Sequence, residues 1–439
     1  MLVISLQGTF KEVEKKIQEA GKIGEILEFR LDLMEGIDLT RLSKLRKKCK
    51  LPVIFTFRGR GRQEKLLEFL SLKPEYVDLE YDVSFASKID PSIQIISSFH
   101  DFEKTPKDLE GILKQMNNFP AAIKKIATMA HSSIDALRML NFVKKHRIAG
   151  MCMGKKGEVT RILGPLVGAP LTYAFLDKAT APGQIRAEEL INLYRFHHLN
   201  EGTKAYALIG DPVDQSIGHF YHNQMFKKLK EDRVYVKMSL TPAEIPAFFS
   251  EIKTLPFYGF SVTMPLKEHV DDKGAINTLT KRNGKWIGTN TDGIGALEVL
   301  GEVKGKFILI IGAGGTAKAI AAEASSRGGK VIIANRTLKK GEILAKQVGG
   351  MAISIDQVIE TDYDILINTT SVGMFPSIEK MPIPKEGIRE KKILLDVIVH
   401  PQETAFLIEG KKKDCKIIHG LEMFEKQANL QLTQWLEKF

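Results

Sequence analysis

The 439-residue chain is predicted to be α/β throughout, an N-terminal (β/α)8 barrel followed by a two-lobed α/β unit. Three observations predict this. Eight short apolar runs alternate with amphipathic segments over the first 200 residues. A polar, glycine-containing break follows at 199–203. Later, a continuous apolar strand at 307–312 runs into glycines and then into a helix pattern.

The eight runs are 2–6, 26–31, 52–57, 76–79, 93–99, 121–129, 148–153 and 170–176. Most are β-branched or aromatic, as strands are. Segments 12–20, 39–47, 64–72, 109–117 and 134–145 carry helix periodicity between them. Strand–helix alternation implies a parallel sheet, and eight repeats suggest closure into a barrel. An open doubly wound sheet is the alternative. A helix is predicted over 187–198, then the break, then a strand at 205–209. The last segment, 422–439, is helical by periodicity. These features place domains at 1–200, 203–296 and 297–412.

Composition excludes several classes. The chain is 44% hydrophobic, enough for several cores. No run approaches the roughly 18 apolar residues of a membrane span. No signal or transit peptide is visible, so a cytoplasmic location is expected. Cys49, Cys152 and Cys415 are odd in number and far apart, which argues against a disulfide framework or a metal site. The net charge is +11, but the basic residues are scattered in short runs such as 46–48 and 411–413. No aromatic-interleaved basic stripe is present, so small anionic ligands are expected rather than nucleic acid.

Barrel enzymes carry their chemistry at the C-terminal strand ends. Here those ends are polar. Glu28 and Arg30 lie two apart and so on one face; Arg58 ends the third strand. Asp78 and Glu80 sit in the fourth, His100 ends the fifth, and Lys124 and Lys125 interrupt an apolar sixth. A buried Lys near other cations is a candidate amine nucleophile. A lone His at a strand end is more often structural, and one of two adjacent lysines must point outward; the set carries the argument.

These residues, with Thr56-Phe57-Arg58, Ser98-Phe99-His100-Asp101, Met153-Gly154-Lys155, Arg161 and Ala179-Thr180-Ala181-Pro182-Gly183-Gln184, resemble the type I 3-dehydroquinate dehydratases. The resemblance covers nearly all of 1–200. It implies a Schiff base from Lys125 to a substrate ketone, with His100 moving protons. It implies substrate contacts from Arg161, Gln184 and Thr180, supported by Glu28, Arg30 and Arg58. The loop 58–64 departs from the family by being short and basic, so an acidic helper for His100 is expected to be absent or to be Glu64.

In the second half, Gly312, Gly314, Gly315 and Ala317 form a strand–glycine turn–helix fingerprint of a Rossmann dinucleotide site. The following strand ends in Asn335-Arg336-Thr337 rather than in an acidic residue. Arg336 can neutralise a 2′-phosphate, which favours NADP over NAD. Polar residues also cluster near Gly and Pro at 259–267, 275–279 and 288–293. Together with 368–374, 396–401 and 420–428, these segments resemble the shikimate dehydrogenases over 203–439.

That resemblance, and not the periodicity, implies that 413–439 returns to complete 203–296. It implies Lys267 and Asp292 as the catalytic pair. Ser216, Thr263, Asn277 and Gln427 would bind substrate, with Thr369 and Gly420 beside the cofactor. Two departures are expected to alter affinity: Ser216-Ile217-Gly218-His219 in the carboxylate loop, and Val399. Joined, the halves imply consecutive reactions on 3-dehydroquinate, 3-dehydroshikimate and shikimate, by a monomer or homodimer without metal. The rivals are a quinate/shikimate dehydrogenase using NAD and a regulator built from degenerate copies. The latter should lack Lys125, His100, Lys267 or Asp292, and all four are present.

Overall fold

A computed structural model describes residues 1–59, 63–270 and 274–437. The chain divides into two compact units. One comprises Met1–Ala207 with Asn223–Phe257, the other Leu208–His222 with Tyr258–Phe439.

The first unit is a curled parallel sheet. Its strands are β1 (Leu2–Thr9), β2 (Ile26–Glu35), β3 (Val53–Thr56), β4 (Tyr76–Glu80), β5 (Gln94–Asp101), β6 (Ile123–Met129), β7 (Ala149–Met153) and β8 (Thr172–Phe175). Neighbours pair in sequence order, and β8 returns to pair with β1. The ladder is not continued between β7 and β8. A two-residue strand, β9 (Ile185–Arg186), pairs with β8 instead. The loops after β7 and β8 meet there as bare backbone: a Cβ on Gly183 would lie 2.4 Å from the Gly154 carbonyl oxygen.

The interior face has two layers, and strand alternation makes both. Val3, Ile26, Ile54, Ile96, Ala149 and Tyr173 belong to one buried cluster. Two residues further along β1, β2, β3 and β5 stand Ser5, Glu28, Thr56 and Ser98. An apolar floor therefore supports a polar layer at the C-terminal strand ends.

The helix Ser133–His146 anchors the appended segment of this unit, which carries the strand Arg233–Ser239. Asn141 Nδ2 donates to the Glu251 carbonyl at 2.9 Å, and Thr254 Oγ1 donates to Asn141 Oδ1 at 2.6 Å. The helix predicted over 187–198 is shorter than its pattern. It spans Ala187–Asn192, and Arg195 then turns left-handed at φ 54°. The Arg195 guanidinium there donates to the carbonyls of Glu231 and Arg233.

The second unit contains the antiparallel strands Phe257–Val262, Thr278–Arg282 and Lys285–Thr289, the first of which starts at the unit boundary. It also contains a six-stranded parallel sheet. The strand Phe307–Ile311 pairs with Lys330–Ala334 on one side and Ile365–Asn368 on the other. Strands Met351–Ile353, Ile393–Asp396 and Lys416–Ile418 complete it. Its central strands are nearly continuous runs of Ile, Leu and Val, as strands buried on both faces must be. The C-terminal helix Gly420–Leu436 packs on the helix Asp292–Leu300. Gln431 accepts from Ser261 Oγ and donates to the Asn277 carbonyl, and Trp435 donates to the Leu279 carbonyl. Among the described residues no helix is long and apolar enough to cross a membrane.

Candidate active sites

In the first unit the polar layer encloses a cavity of about 300 Å³. It is lined by every barrel residue expected from the sequence to have a catalytic or substrate-binding role: Glu28, Arg30, Arg58, His100, Lys125, Arg161, Thr180 and Gln184. Lys125 points inward and is 6% exposed, while Lys124 is only partly buried. The sequence reading placed cations beside the Lys125 amine. Its nearest charged neighbour is instead Asp78, whose Oδ2 lies 2.7 Å from Nζ.

Asp78 organises the wall. It also accepts from Arg58 at 2.6 Å and from Ser98 Oγ at 2.5 Å. Burial would raise its pKa, but the Arg58 and Lys125 cations hold its carboxyl far below the ordinary range. Glu28 is fixed between two wall hydroxyls, Ser5 at 2.6 Å and Thr56 at 2.7 Å. Arg30 forks onto Asp32. Gln184 uses its carbonyl oxygen to hold its own loop, accepting from the Thr180 backbone N–H at 2.6 Å.

The helper expected for His100 is corrected. Glu64 is exposed, and Glu80 stands 2.9 Å from Nδ1 of His100. Residues 60–62 of the predicted basic loop lie outside the described residues. β4 supplies the carboxylate because Glu80 follows Asp78 by two and so shares its inward face. Burial lowers the His100 pKa from its ordinary value. Arg58, with a guanidinium nitrogen 3.5 Å from Nε2, and Lys125 add to that; Glu80 opposes it. The ring is therefore neutral near pH 7 and can accept a proton.

Arg161 is 2% exposed and has no carboxylate partner among the described residues. It donates to the Gly183 carbonyl at 2.9 Å, and burial pulls its pKa down to about 10. A buried guanidinium beside a cavity is a seat for an anion.

The second site lies in the other unit, around a cavity of about 320 Å³ lined by Thr263, Lys267, Gly314, Gly315, Thr316 and Thr369. Lys267 Nζ is paired with Asp292 and donates to Thr316 Oγ1 at 3.0 Å. Asn277 Nδ2 donates to the other Asp292 oxygen at 2.7 Å and reaches Gln427 Oε1 at 3.3 Å. Four of the expected residues thus form one network. Ser216 does not join it; its Oγ, just before the following helix, accepts the Gly218 N–H at 3.1 Å. His219 is buried beside the Phe220 ring.

The glycine turn fits a pyrophosphate. Gly312 has φ 112°, and a Cβ there would meet Thr369 Oγ1 at 2.6 Å; a Cβ on Gly314 would stand in open space. The helix Gly315–Ser326 has no side-chain cap, which leaves its first N–H groups available to an anion. Ala317 is buried against the sheet. Asn335, Arg336 and Thr337 follow the next strand; Arg336 is exposed, and Asn335 donates to the Thr337 carbonyl. Gly420 sits where a Cβ would strike the Ile398 carbonyl oxygen at 2.3 Å.

Sequence reasoning assigned no role to Asp78 and Glu80, although it saw both as inward charges. It missed Tyr173 and Thr316 entirely. An aromatic inside a strand run and a Thr inside a glycine fingerprint carry no distinguishing signal.

Comparison with known proteins agrees with this geometry. Residues 3–201 match the type I 3-dehydroquinase family. Residues 208–279 match the shikimate dehydrogenase substrate binding domain, and 295–399 match shikimate/quinate 5-dehydrogenase. A shikimate biosynthesis protein of Chlamydia pneumoniae is 35% identical over 475 aligned positions, covering 100% of this chain and 96% of its own. The chloroplastic bifunctional 3-dehydroquinate dehydratase/shikimate dehydrogenase of Arabidopsis thaliana is 33% identical, covering 95% and 79%. A solved shikimate dehydrogenase in complex with NADP+ superimposes with a TM-score of 0.51 at 36% identity, covering 54% of this chain and 91% of that one. The chain therefore belongs to the family of bifunctional type I 3-dehydroquinate dehydratase/shikimate dehydrogenases.

Proposed function

We propose that the chain dehydrates 3-dehydroquinate to 3-dehydroshikimate at the barrel site and reduces that product to shikimate with NADPH at the second site. Its working domains are 1–200, 203–296 completed by 413–439, and 297–412. The observation that carries the reading is the convergence of Lys125, His100 and the unpaired Arg161 on one cavity.

At the barrel site Lys125 gives up its proton and attacks the substrate ketone. Loss of water leaves a protonated imine, an electron sink that acidifies the neighbouring C–H. Neutral His100 removes that proton. The resulting enamine expels the β-hydroxyl, which takes the proton back from His100 and leaves as water. Hydrolysis of the imine frees the product and the amine. Arg161 holds the substrate carboxylate, while Glu28, Arg30, Arg58, Thr180 and Gln184 fix its hydroxyls and the surrounding wall. Asp78, held strongly acidic, keeps the amine in place without competing as a base.

At the second site NADPH supplies the hydride. Lys267 gives a proton to the substrate oxygen in reduction and accepts it in oxidation, with Asp292 orienting the amine. Thr263, Asn277, Gln427 and Ser216 bind substrate. Gly312, Gly314, Gly315, Ala317, Thr369 and Gly420 shape the cofactor cleft, and Asn335, Arg336 and Thr337 select the 2′-phosphate. The enzyme works in the cytoplasm as a monomer or homodimer and has no nucleic-acid partner.

The test is a coupled assay on the full chain. 3-Dehydroquinate with NADPH should yield shikimate, one NADPH oxidised per molecule formed. Accumulation of 3-dehydroshikimate without NADPH oxidation would remove the second activity, and no turnover of 3-dehydroquinate would remove the first.

A further inference from the structure

Tyr173 lies in β8 and shares the interior cluster of the barrel floor with Val3, Ala149 and Met151. It lines the dehydratase cavity and is only 3% exposed. Its ring lies under the Lys125 amine, with Nζ 4.2 Å from the ring centroid. The amine and the two nearby carboxylates have protein partners: Lys125 has Asp78, Asp78 also has Ser98 and Arg58, and Glu28 has Ser5 and Thr56. The Tyr173 hydroxyl is buried and has no hydrogen-bond partner among the described residues.

A buried hydroxyl with nothing to bond is costly and is kept where a ligand completes it. We propose that Tyr173 is a substrate-binding residue of the dehydratase: its hydroxyl donates a hydrogen bond to an oxygen of the bound hydroxylated cyclic ketone while its ring braces the Lys125 nitrogen. This rests on the Schiff-base reading of the same cavity. Burial and the Asp78 and Glu28 carboxylates keep the phenol protonated well above its ordinary range, so it stays a donor. A ring face attracts the ammonium and the protonated imine alike. The same group serves the ground state and later states, so the hydroxyl's contribution falls on KM rather than on kcat.

Tyr173→Phe, which keeps the ring, tests the hydroxyl in the full-length enzyme. KM for 3-dehydroquinate should rise about tenfold, the scale of one lost hydrogen bond to a ligand. Borohydride should still trap substrate on Lys125, and Tm should equal or exceed that of the parent, because an unsatisfied polar group has been removed from the free protein. An unchanged KM, or a Tm lowered by several degrees, would overturn the proposal. Tyr173→Leu should raise KM further and lower kcat; equality with Tyr173→Phe would remove the ring's share. A failure of the underlying reading looks different, since the parent enzyme itself would then give no adduct on Lys125.

Discussion

The two sites solve the problem of placing a reactive lysine in different ways. In the barrel, Lys125 sits inside a dense ionic lattice with Asp78, Arg58, Glu80 and His100. In the other unit, Lys267 has one carboxylate partner among the described residues, Asp292, backed by neutral amides and hydroxyls. The contrast follows from where the chemistry resides. Imine formation and β-elimination are done by side chains, so the protein must hold a nucleophile, a base and their counter-charges together in low dielectric. Hydride transfer is the cofactor's chemistry, so the protein provides a cleft, a proton donor and its orienting group. Buried charges are tolerated in the first case because they are paired in a network; removing one member leaves another uncompensated.

The largest expected effect breaks one site and spares the other. Lys125→Ala should lower dehydration at least about 10³-fold, since no side chain replaces a covalent nucleophile. NADPH-linked reduction of 3-dehydroshikimate should stay within about twofold; joint loss of both activities in folded protein would contradict two independent sites. The reciprocal change, Lys267→Met, should cost roughly 10²–10⁴-fold in reduction, the range of general acid–base catalysis. Dehydration measured on the same sample should not move.

Arg336→Ser sharpens the comparison at the cofactor. KM for NADPH should rise about 10–100-fold, with little change for NADH, because one charge-assisted contact to a phosphate is lost. Equal effects on both nucleotides would mean that Arg336 does not read the 2′-phosphate. The smallest effect is on pH. Burial, Arg58 and Lys125 depress the His100 pKa below 6.5, and Glu80 lifts it. The acidic limb of the dehydratase kcat/KM profile should therefore lie below pH 6.5. Glu80→Gln removes the lifting charge, so the limb should move lower still. A shift upward would mean that Glu80 acts on another group.

Much of this was legible in the sequence, for a local reason. A strand alternates, so Ile26, Glu28 and Arg30, or Ile96, Ser98 and His100, announce one face that changes from apolar to polar along its length. That pattern exposed the reactive layer, and Gly312, Gly314 and Gly315 exposed the cofactor turn. What stayed hidden depends on sheet curvature and register between strands. Glu80 is paired with His100 because β4 and β5 lie side by side with Glu80 opposite Ser98. A reading along the chain left the helper either absent or supplied by Glu64, which the fold leaves exposed. Tyr173 meets Lys125 only because the sheet curls, and Thr316 meets Lys267 only because the glycine turn faces the strand end at 262–267.

The central claim is that the Lys125 amine becomes bonded to substrate. Incubating the full-length enzyme with 3-dehydroquinate and borohydride, then mapping peptides by mass, tests it most directly. The account predicts one reduced adduct, on Lys125, which vanishes in Lys125→Ala. An adduct on another lysine, or an active enzyme that yields none, would contradict it.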